Sequence, residues 1–414
     1  MTSRVLKLYT LAIQCLVLLA PVIGLFNKKA RLWADGRKQW RQRLTDWRAL
    51  NPGEVIWMHC ASLGEFEQGR PILEALRNRF PQKKLLLTFF SPSGYEVRKN
   101  YPGVDGVFYL PADTATNARD FLTIVQPALG LVVKYEYWPN FFLSCKQQGI
   151  PLYVVSGIFR EGQRFFGMAA GFWRPVLDSV SHFFVQNESS VNLLNSIGIN
   201  CVTLAGDTRF DRVMDVMRHP VSLDAIKEFK GEGLVVVGGS TWPDDEVVLA
   251  DWLSTASPTA KLIVVPHEVG SEAITRLEQR FPGAVKWSQR NAAAWADARV
   301  VIVDEIGWLS SIYAYTDVCW IGGGFGAGIH NTLEAAAWHK PVLFGPRYRK
   351  FDEACGLIAA GGAISAQDTH VGPVLLHQIT RDAAMRERMG HQSGLFVERG
   401  AGATAKILNE LAVK

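Results

Sequence analysis

No Cys-x-x-Cys pair occurs in this chain, and its six cysteines, at 15, 60, 145, 201, 319 and 355, stand far apart. Neither a zinc site nor a disulfide framework is suggested, which fits a reducing compartment. Repeats and low-complexity tracts are lacking too, and with 48% hydrophobic against 20% charged residues the composition excludes disorder. Positive charge is also scarce once it is located. Residues 1–50 hold ten Lys/Arg and two Asp, net +8, so the formal +5 of the whole leaves 51–414 with 34 basic and 37 acidic residues, net −3. A nucleic-acid surface spread over the protein is therefore unexpected. At 414 residues the length asks for two or three domains, two by default.

One long apolar run is present. Residues 8–26 read LYTLAIQCLVLLAPVIGLF without a charge, close to the roughly 20 residues that cross a bilayer as a helix. Pro21 leaves open a full span or a half-inserted anchor. A buried core helix is the plain alternative, but it does not explain the flanks. Arg4 and Lys7 precede the run; Lys28, Lys29, Arg31, Arg37, Lys38, Arg41, Arg43 and Arg48 follow it, interleaved with Trp33, Trp40 and Trp47. Such a segment suits an anionic lipid surface, with indoles in the headgroup zone, and the heavier flank keeps the remainder cytoplasmic. A cleaved signal peptide fits less well, because no clear A-x-A site follows.

Beyond residue 50, short runs rich in Val, Ile and Phe recur every 20–30 residues, from VIWMHC (55–60) and KLLLTFF (84–90) to CVTLAG (201–206). A second series begins at LVVVGGS (234–240) and includes KLIVVP (261–266), DVCWIGGG (317–324) and PVLFGP (341–346). Helical spacing lies between them, as in 67–80. This alternation predicts an α/β fold of two doubly wound, Rossmann-like parallel sheets, facing across a cleft with ligands at the carboxyl ends of the strands. The expected division is 1–50 for the anchor and basic segment, 51–212 for the first domain and 213–414 for the second, the cut falling in the polar stretch broken by Pro220. The stretch 378–414 reads as helix, placed to pack back across both domains.

Chemistry-bearing residues collect at those strand ends. In WIGGGFGAGIHNTLEAAA (320–337) a strand runs into five glycines within seven residues and then an Ala-rich helix, which together form an anion cradle: close backbone approach and free N–H groups. Gly322-x-Gly324-x-x-Ala327 loosely matches a dinucleotide fingerprint, but it falls late in the chain and the next strand lacks the acidic residue a dehydrogenase needs. Glu334 either accepts ribose hydroxyls or favours the helix start electrostatically. Ser240 and Thr241 close one strand and His267 follows another, on the same edge as the glycines, as ligand contacts or as turn and cap residues. In HCASLGEFEQGR (59–70), Ser62, Gly64 and Glu65 lead from strand to helix. Glu65 is placed either to take a proton from an incoming hydroxyl or to complete an S-x-x-E capping box. Lys134 and Glu136 in KYEYWPN (134–140) are either a second wall of an acceptor site or an ion pair beside a turn.

ASLGE (61–65), YEYWPN (135–140), GDTRFDR (206–212), VPHE (265–268) and GGGFGAGIHNTLEAAA (322–337) together resemble the 3-deoxy-D-manno-octulosonic acid (Kdo) transferases, in the same order and over nearly the whole chain. The resemblance implies a membrane-bound, inverting glycosyltransferase of the GT-B fold on the cytoplasmic face of a bacterial inner membrane. It implies transfer of Kdo from CMP-Kdo to the lipid A precursor (lipid IVA) without metal or other cofactor and without a nucleic-acid partner, as in lipopolysaccharide synthesis. Glu65 corresponds to the general base. Ser62, Gly64, Lys134, Glu136, Ser240, Thr241, His267, Gly324, Phe325, Gly326, Asn331, Thr332 and Glu334 are then the expected substrate contacts. Three motifs depart from the usual pattern: ASLGE has Leu63 where Val or Ile is usual, VPHEVG lacks both arginines of V-P-R-H-P-E-R, and GAGIHNTLEAA is longer and richer in glycine than G-G-H-N-P-L-E-P. Phosphate contacts must then come from His267, Arg347 or Arg349, or be absent. A GT-B enzyme using a UDP-sugar on a lipid acceptor, and a tethered nucleotide-binding module, are the competing readings.

Overall fold

The apolar run folds as one helix, Ser3–Ile23, with Pro21 in its last turn. The structure, a computed structural model, describes residues 3–290, 295 and 297–411; the side chain of Arg4 lies outside the described residues. This helix is apolar over most of its surface, Lys7, Thr10 and Gln14 sharing one face, and most of it is uncovered: Leu18 is 76% and Phe26, just beyond it, 91% exposed. Its length and mean hydropathy of 2.0 over Val5–Ile23 suffice to cross a membrane.

The basic segment behaves differently from expectation. It forms two helices, Lys28–Asp35 and Trp40–Leu50, that pack on the domain behind them. Trp47 is buried and its indole donates to the carbonyl of Asp105, while Trp40 lies against the same core. Arg41 pairs with Asp120, Arg43 donates to the Gly36 carbonyl and Arg48 to that of Asn51. The aromatics point inward because a sheet face needs covering, and the arginines cap carbonyls around it. Lys28, Lys29, Arg31, Lys38, Arg41 and Arg43 remain exposed among these cations, the last two while making those contacts.

Two compact units follow. The first, Met1–Arg212 with Gly402–Lys414, is built on seven parallel strands: β1 (Val55–Cys60), β2 (Lys84–Phe89), β3 (Gly106–Tyr109), β4 (Pro127–Val133), β5 (Leu152–Gly157), β6 (His182–Val185) and β7 (Val202–Leu204), in the order β3-β2-β1-β4-β5-β6-β7. The period of two divides β1 between the faces. Val55 and Trp57 join Phe121 and Phe141 on one side, and Ile56, Met58 and Cys60 join Phe66, Ile72 and Leu76 on the other. Each fully buried side chain of this size contributes about 1.5–3 kcal/mol, so covering both faces is what makes the parallel sheet stable.

The second unit, Val213–Ala401, carries β8 (Val235–Thr241), β9 (Lys261–Pro266), β10 (Val285–Lys286), β11 (Val300–Ile302), β12 (Val318–Ile321), β13 (Val342–Phe344) and β14 (Ala363–Ser365), in the order β10-β11-β9-β8-β12-β13-β14. The two-residue β10 is the strand the sequence does not announce, since it sits at the edge and needs no apolar run. The unit boundary falls inside the helix Thr208–Arg218. In place of one terminal helix there are three, Val371–Arg381, Ala383–Gly400 and Ala403–Glu410. They break at Asp382, whose carboxylate caps the second, and at Gly402 with φ +109°. Gly402–Leu411, assigned above to the second domain, packs with the first unit: Ile407 and Leu411 enter its core and Asp211 accepts the Gly402 and Thr404 amides. Residues 412–414 of the expected helix lie outside the described residues.

Candidate functional site

In each unit the strand order reverses beside the unit's first strand, at β1/β4 in the first and β8/β12 in the second. Open α/β sheets bind ligands at such points. The expected site residues fall there in two groups.

At the end of β1 the chain enters the helix Leu63–Arg79 through Ser62, and Glu65 lies in its first turn, only 9% exposed. The capping box is half formed. Ser62 makes no side-chain cap, while the Glu65 carboxylate accepts the Ala61 amide and a backbone hydrogen bond from Ser62. Burial, followed by repulsion from Glu136, raises Glu65 to about 7, against the opposing pull of those amides and of Lys134. A carboxylic acid poised there exchanges its proton near neutral pH. Gly64 is exposed beside it, with open space where a Cβ would stand.

Lys134 follows β4 with φ +65°, a left-handed backbone that an L side chain adopts at a cost of order 1–3 kcal/mol and that clusters at functional sites. Glu136 comes two residues later. Its Oε2 is buried and receives no hydrogen bond among the described residues. The reason is His59, which the sequence reading passed over. The Trp138 indole donates to His59 Nε2 at 3.3 Å, making that nitrogen an acceptor, and Nδ1 faces Thr88 Oγ1 at 3.0 Å. His59 Nε2 therefore offers no proton to Glu136 Oε2, 3.7 Å away. A buried carboxylate oxygen near Glu65 is thus left with capacity to accept a hydrogen bond. The signal available in the sequence was a histidine one residue before the end of an otherwise apolar strand.

In the second unit Ser240 is the extra residue of a β-bulge between β8 and β9, at φ +53°. The glycine turn after β12 packs on this bulge and on the end of β13. A Cβ on Gly322 would stand 2.3 Å from the Ser240 carbonyl oxygen, and one on Gly324 2.5 Å from the Gly345 nitrogen. Asp245, also unanticipated, fixes the turn. Its buried carboxylate accepts the Gly323 amide at 2.8 Å, the Trp320 indole at 3.0 Å and the Trp242 amide at 3.0 Å. Burial raises its proton affinity against those three donors. Arg347 donates to the Gly326 carbonyl at 2.6 Å, so its guanidinium lies at the rim of the turn.

His267 is exposed and stacked between Trp242 (4.9 Å) and His330 (4.3 Å). The Trp242 indole donates to His330 Nε2, and burial together with His267 lowers His330 to about 4. Asn331 donates to Glu334 at 2.9 Å and accepts the Leu333 amide. Thr241 and Thr332 bury their hydroxyl oxygens without a hydrogen-bond partner among the described residues. Gly326 is exposed. Two expectations shift here. The helix after the turn is only Leu333–Ala337, five residues, so its dipole is weak, and within the turn the amides of Gly322, Gly323, Gly326 and Gly328 are already donated, to Gly239, Asp245 and Gly323. Phe325 turns its ring onto Trp320 in the core, leaving only its backbone at the turn. No group of three metal-ligating side chains occurs among the described residues.

Comparison with known proteins fits this geometry. The family model described as 3-deoxy-D-manno-octulosonic-acid transferase (Kdotransferase) matches residues 38–212. The 3-deoxy-D-manno-octulosonic acid transferase of Bordetella pertussis is 27% identical over 97% of this chain and 98% of its own, and that of Haemophilus influenzae 24% identical over 97% and 96%. Among solved structures, UDP-GlcNAc 2-epimerase from Neisseria meningitidis bound to UDP-GlcNAc is similar at a TM-score of 0.60 with 16% identity, covering 86% of this chain and 99% of that one. A UDP-N-acetylglucosamine 2-epimerase from Listeria monocytogenes is similar at 0.58 with 11% identity, over 87% and 98%. The latter two speak for the two-unit, GT-B-like fold alone.

Proposed function

Since its residues 38–212 form a domain of the Kdo transferase family and the chain resembles such glycosyltransferases end to end, we propose that it moves Kdo from CMP-Kdo to the lipid A precursor lipid IVA. The observation that carries the mechanism is Glu65, a carboxylate at a topological switch point whose proton affinity burial and Glu136 bring to about 7. It takes the proton of the acceptor's sugar 6′-hydroxyl as that oxygen attacks the anomeric carbon, and Glu136 Oε2 accepts a neighbouring hydroxyl and orients it. The C–O bond to the phosphate breaks on the opposite face, so the configuration inverts. The Gly324 and Phe325 amides of the glycine turn, with Ser240, Thr241, Thr332 and Arg347, receive the charge that grows on departing CMP; donors fixed in advance are worth more than donors recruited during the reaction. Asn331 and Glu334 take the ribose hydroxyls, and the Trp242–His267–His330 stack offers a face to the base. The route asks for no metal or other cofactor.

The exposed apolar helix supports a place on the inner membrane, with the catalytic units on the cytoplasmic side, since an acylated acceptor leaves its bilayer only at great cost. The test is mass spectrometry of lipid IVA incubated with the purified protein and CMP-Kdo, beside thermal protection by nucleotides. A product one Kdo or more heavier, and protection by CMP and not UDP, is the expected result. Protection by UDP alone would favour a UDP-sugar enzyme of the same fold.

A further inference from the structure

A cavity of about 620 Å³ opens under the anchor helix, within the first unit. Its apolar walls are Val17 and Pro21 of that helix, Trp33, Trp40 and Ala112. Three cations line it. Lys38 pairs with Asp35 at 2.6 Å and Arg41 with Asp120 at 2.8 Å, but Arg37 has no carboxylate partner among the described residues. Its guanidinium lies 4.0 Å from the Trp33 ring centroid and 4.9 Å from that of Tyr109, and it donates to the carbonyls of Trp33, Phe90 and Leu110. Three of five N–H groups are thus used, with an unneutralised charge held among aromatic rings. Burial depresses the guanidinium to about 9, so it remains cationic at neutral pH.

We propose that this cavity binds one anionic glycerophospholipid of the bilayer, with the phosphate on Arg37. Charge complementarity demands an anion, and the apolar walls demand that the anion carry hydrocarbon. The volume lies within the range of about 300–1,000 Å³ usual for small-ligand pockets. It takes a headgroup and the first carbons of the tails, which then run along the uncovered face of Ser3–Ile23, where Leu18 and Leu19 are exposed. The lipid is separate from the acceptor and fastens the anchor to the domain. This inference rests on reading Ser3–Ile23 as a membrane helix, and not on the reaction assigned to Glu65.

The experiment uses the full chain in detergent with added phosphatidylglycerol, read by native mass spectrometry, with flotation on phosphatidylglycerol vesicles as a separate measure of the anchor. A one-to-one lipid adduct is expected for the wild type. Ala34→Phe projects a ring into the cavity and leaves Arg37 in place; it should reduce the adduct at least about tenfold while flotation persists. Arg37→Gln should do the same provided its thermal transition is retained. An adduct of equal occupancy in Ala34→Phe overturns the proposal. So does displacement by equimolar inorganic phosphate, which would make this a site for phosphate alone, or stoichiometric displacement by lipid IVA, which would make it part of the acceptor site. Loss of flotation in the wild type would refute the membrane reading instead and leave the transferase reading standing.

Discussion

Glu65 carries a cost in stability beside the role proposed for it. In the unfolded chain it ionises near 4.5 and in the fold near 7, so the folded state holds the proton more tightly. A carboxyl group shifted upward leaves stability untouched below the lower value, and its ionisation weakens the fold progressively as pH rises through the interval between the two. By linkage the full penalty above pH 7 is at most ~3 kcal/mol. Glu65→Gln should therefore raise the melting temperature more at pH 8 than at pH 5, a difference readable by calorimetry. Turnover should fall by about 10²–10⁴ in the same variant, the usual worth of a general base. Glu136→Gln removes the repulsion that contributes to the shift, so the rising limb of the rate profile should move to lower pH. Legibility at this scale was uneven. Glu65 stood out by its place between strand and helix, but capping and base catalysis predict the same residue, and only burial separates them. His59 and Asp245 act through partners remote in sequence, Trp138 and Trp320, which no local spacing announces.

At the scale of elements, the period of the apolar runs fixed nearly every strand, because strands buried on both faces must be apolar throughout. The two-residue β10 escaped for the converse reason. The helix after the glycine turn was expected longer than it is: Ala-rich sequence favours helix, but Trp338 and His339 leave it at once, and His339 sits at φ +54°. Asp245 consequently matters more to the shape of the glycine turn than helix polarity does. Replacing it with Ala leaves three donors unpaired, each worth about 1.5–3 kcal/mol to a charged acceptor, so a lower melting temperature and loss of protection by CMP are expected. Gly324→Ala forces a Cβ against the Gly345 nitrogen and displaces the turn; thermal shift should show protection by CMP lost at least about tenfold in nucleotide concentration. Asp211→Ala removes the cap of the terminal helix and should cost about 0.5–2 kcal/mol in denaturant unfolding.

For the whole molecule, charge and hydropathy located the long exposed apolar helix and misjudged the packing of the segment behind it. Composition records that tryptophan and arginine alternate there, but not that a sheet face beneath them still needs covering, and packing claimed residues that a bilayer would also have accepted. What remains for the lipid surface is the bare helix with Lys28, Lys29 and Arg31. Each cation near an anionic surface contributes about 1 kcal/mol, so reversing any one of them to Glu should weaken binding to anionic vesicles at least about fivefold in low salt, and less at high ionic strength.

The account as a whole turns on a single proton. Kdo transfer measured from pH 5.5 to 8.5 in the wild type and in Glu65→Gln tests it most directly. The wild-type rate should climb with an apparent pKa close to 7 and the variant should be slow at every pH, with CMP protection intact in both. A variant that keeps the wild-type profile would contradict it.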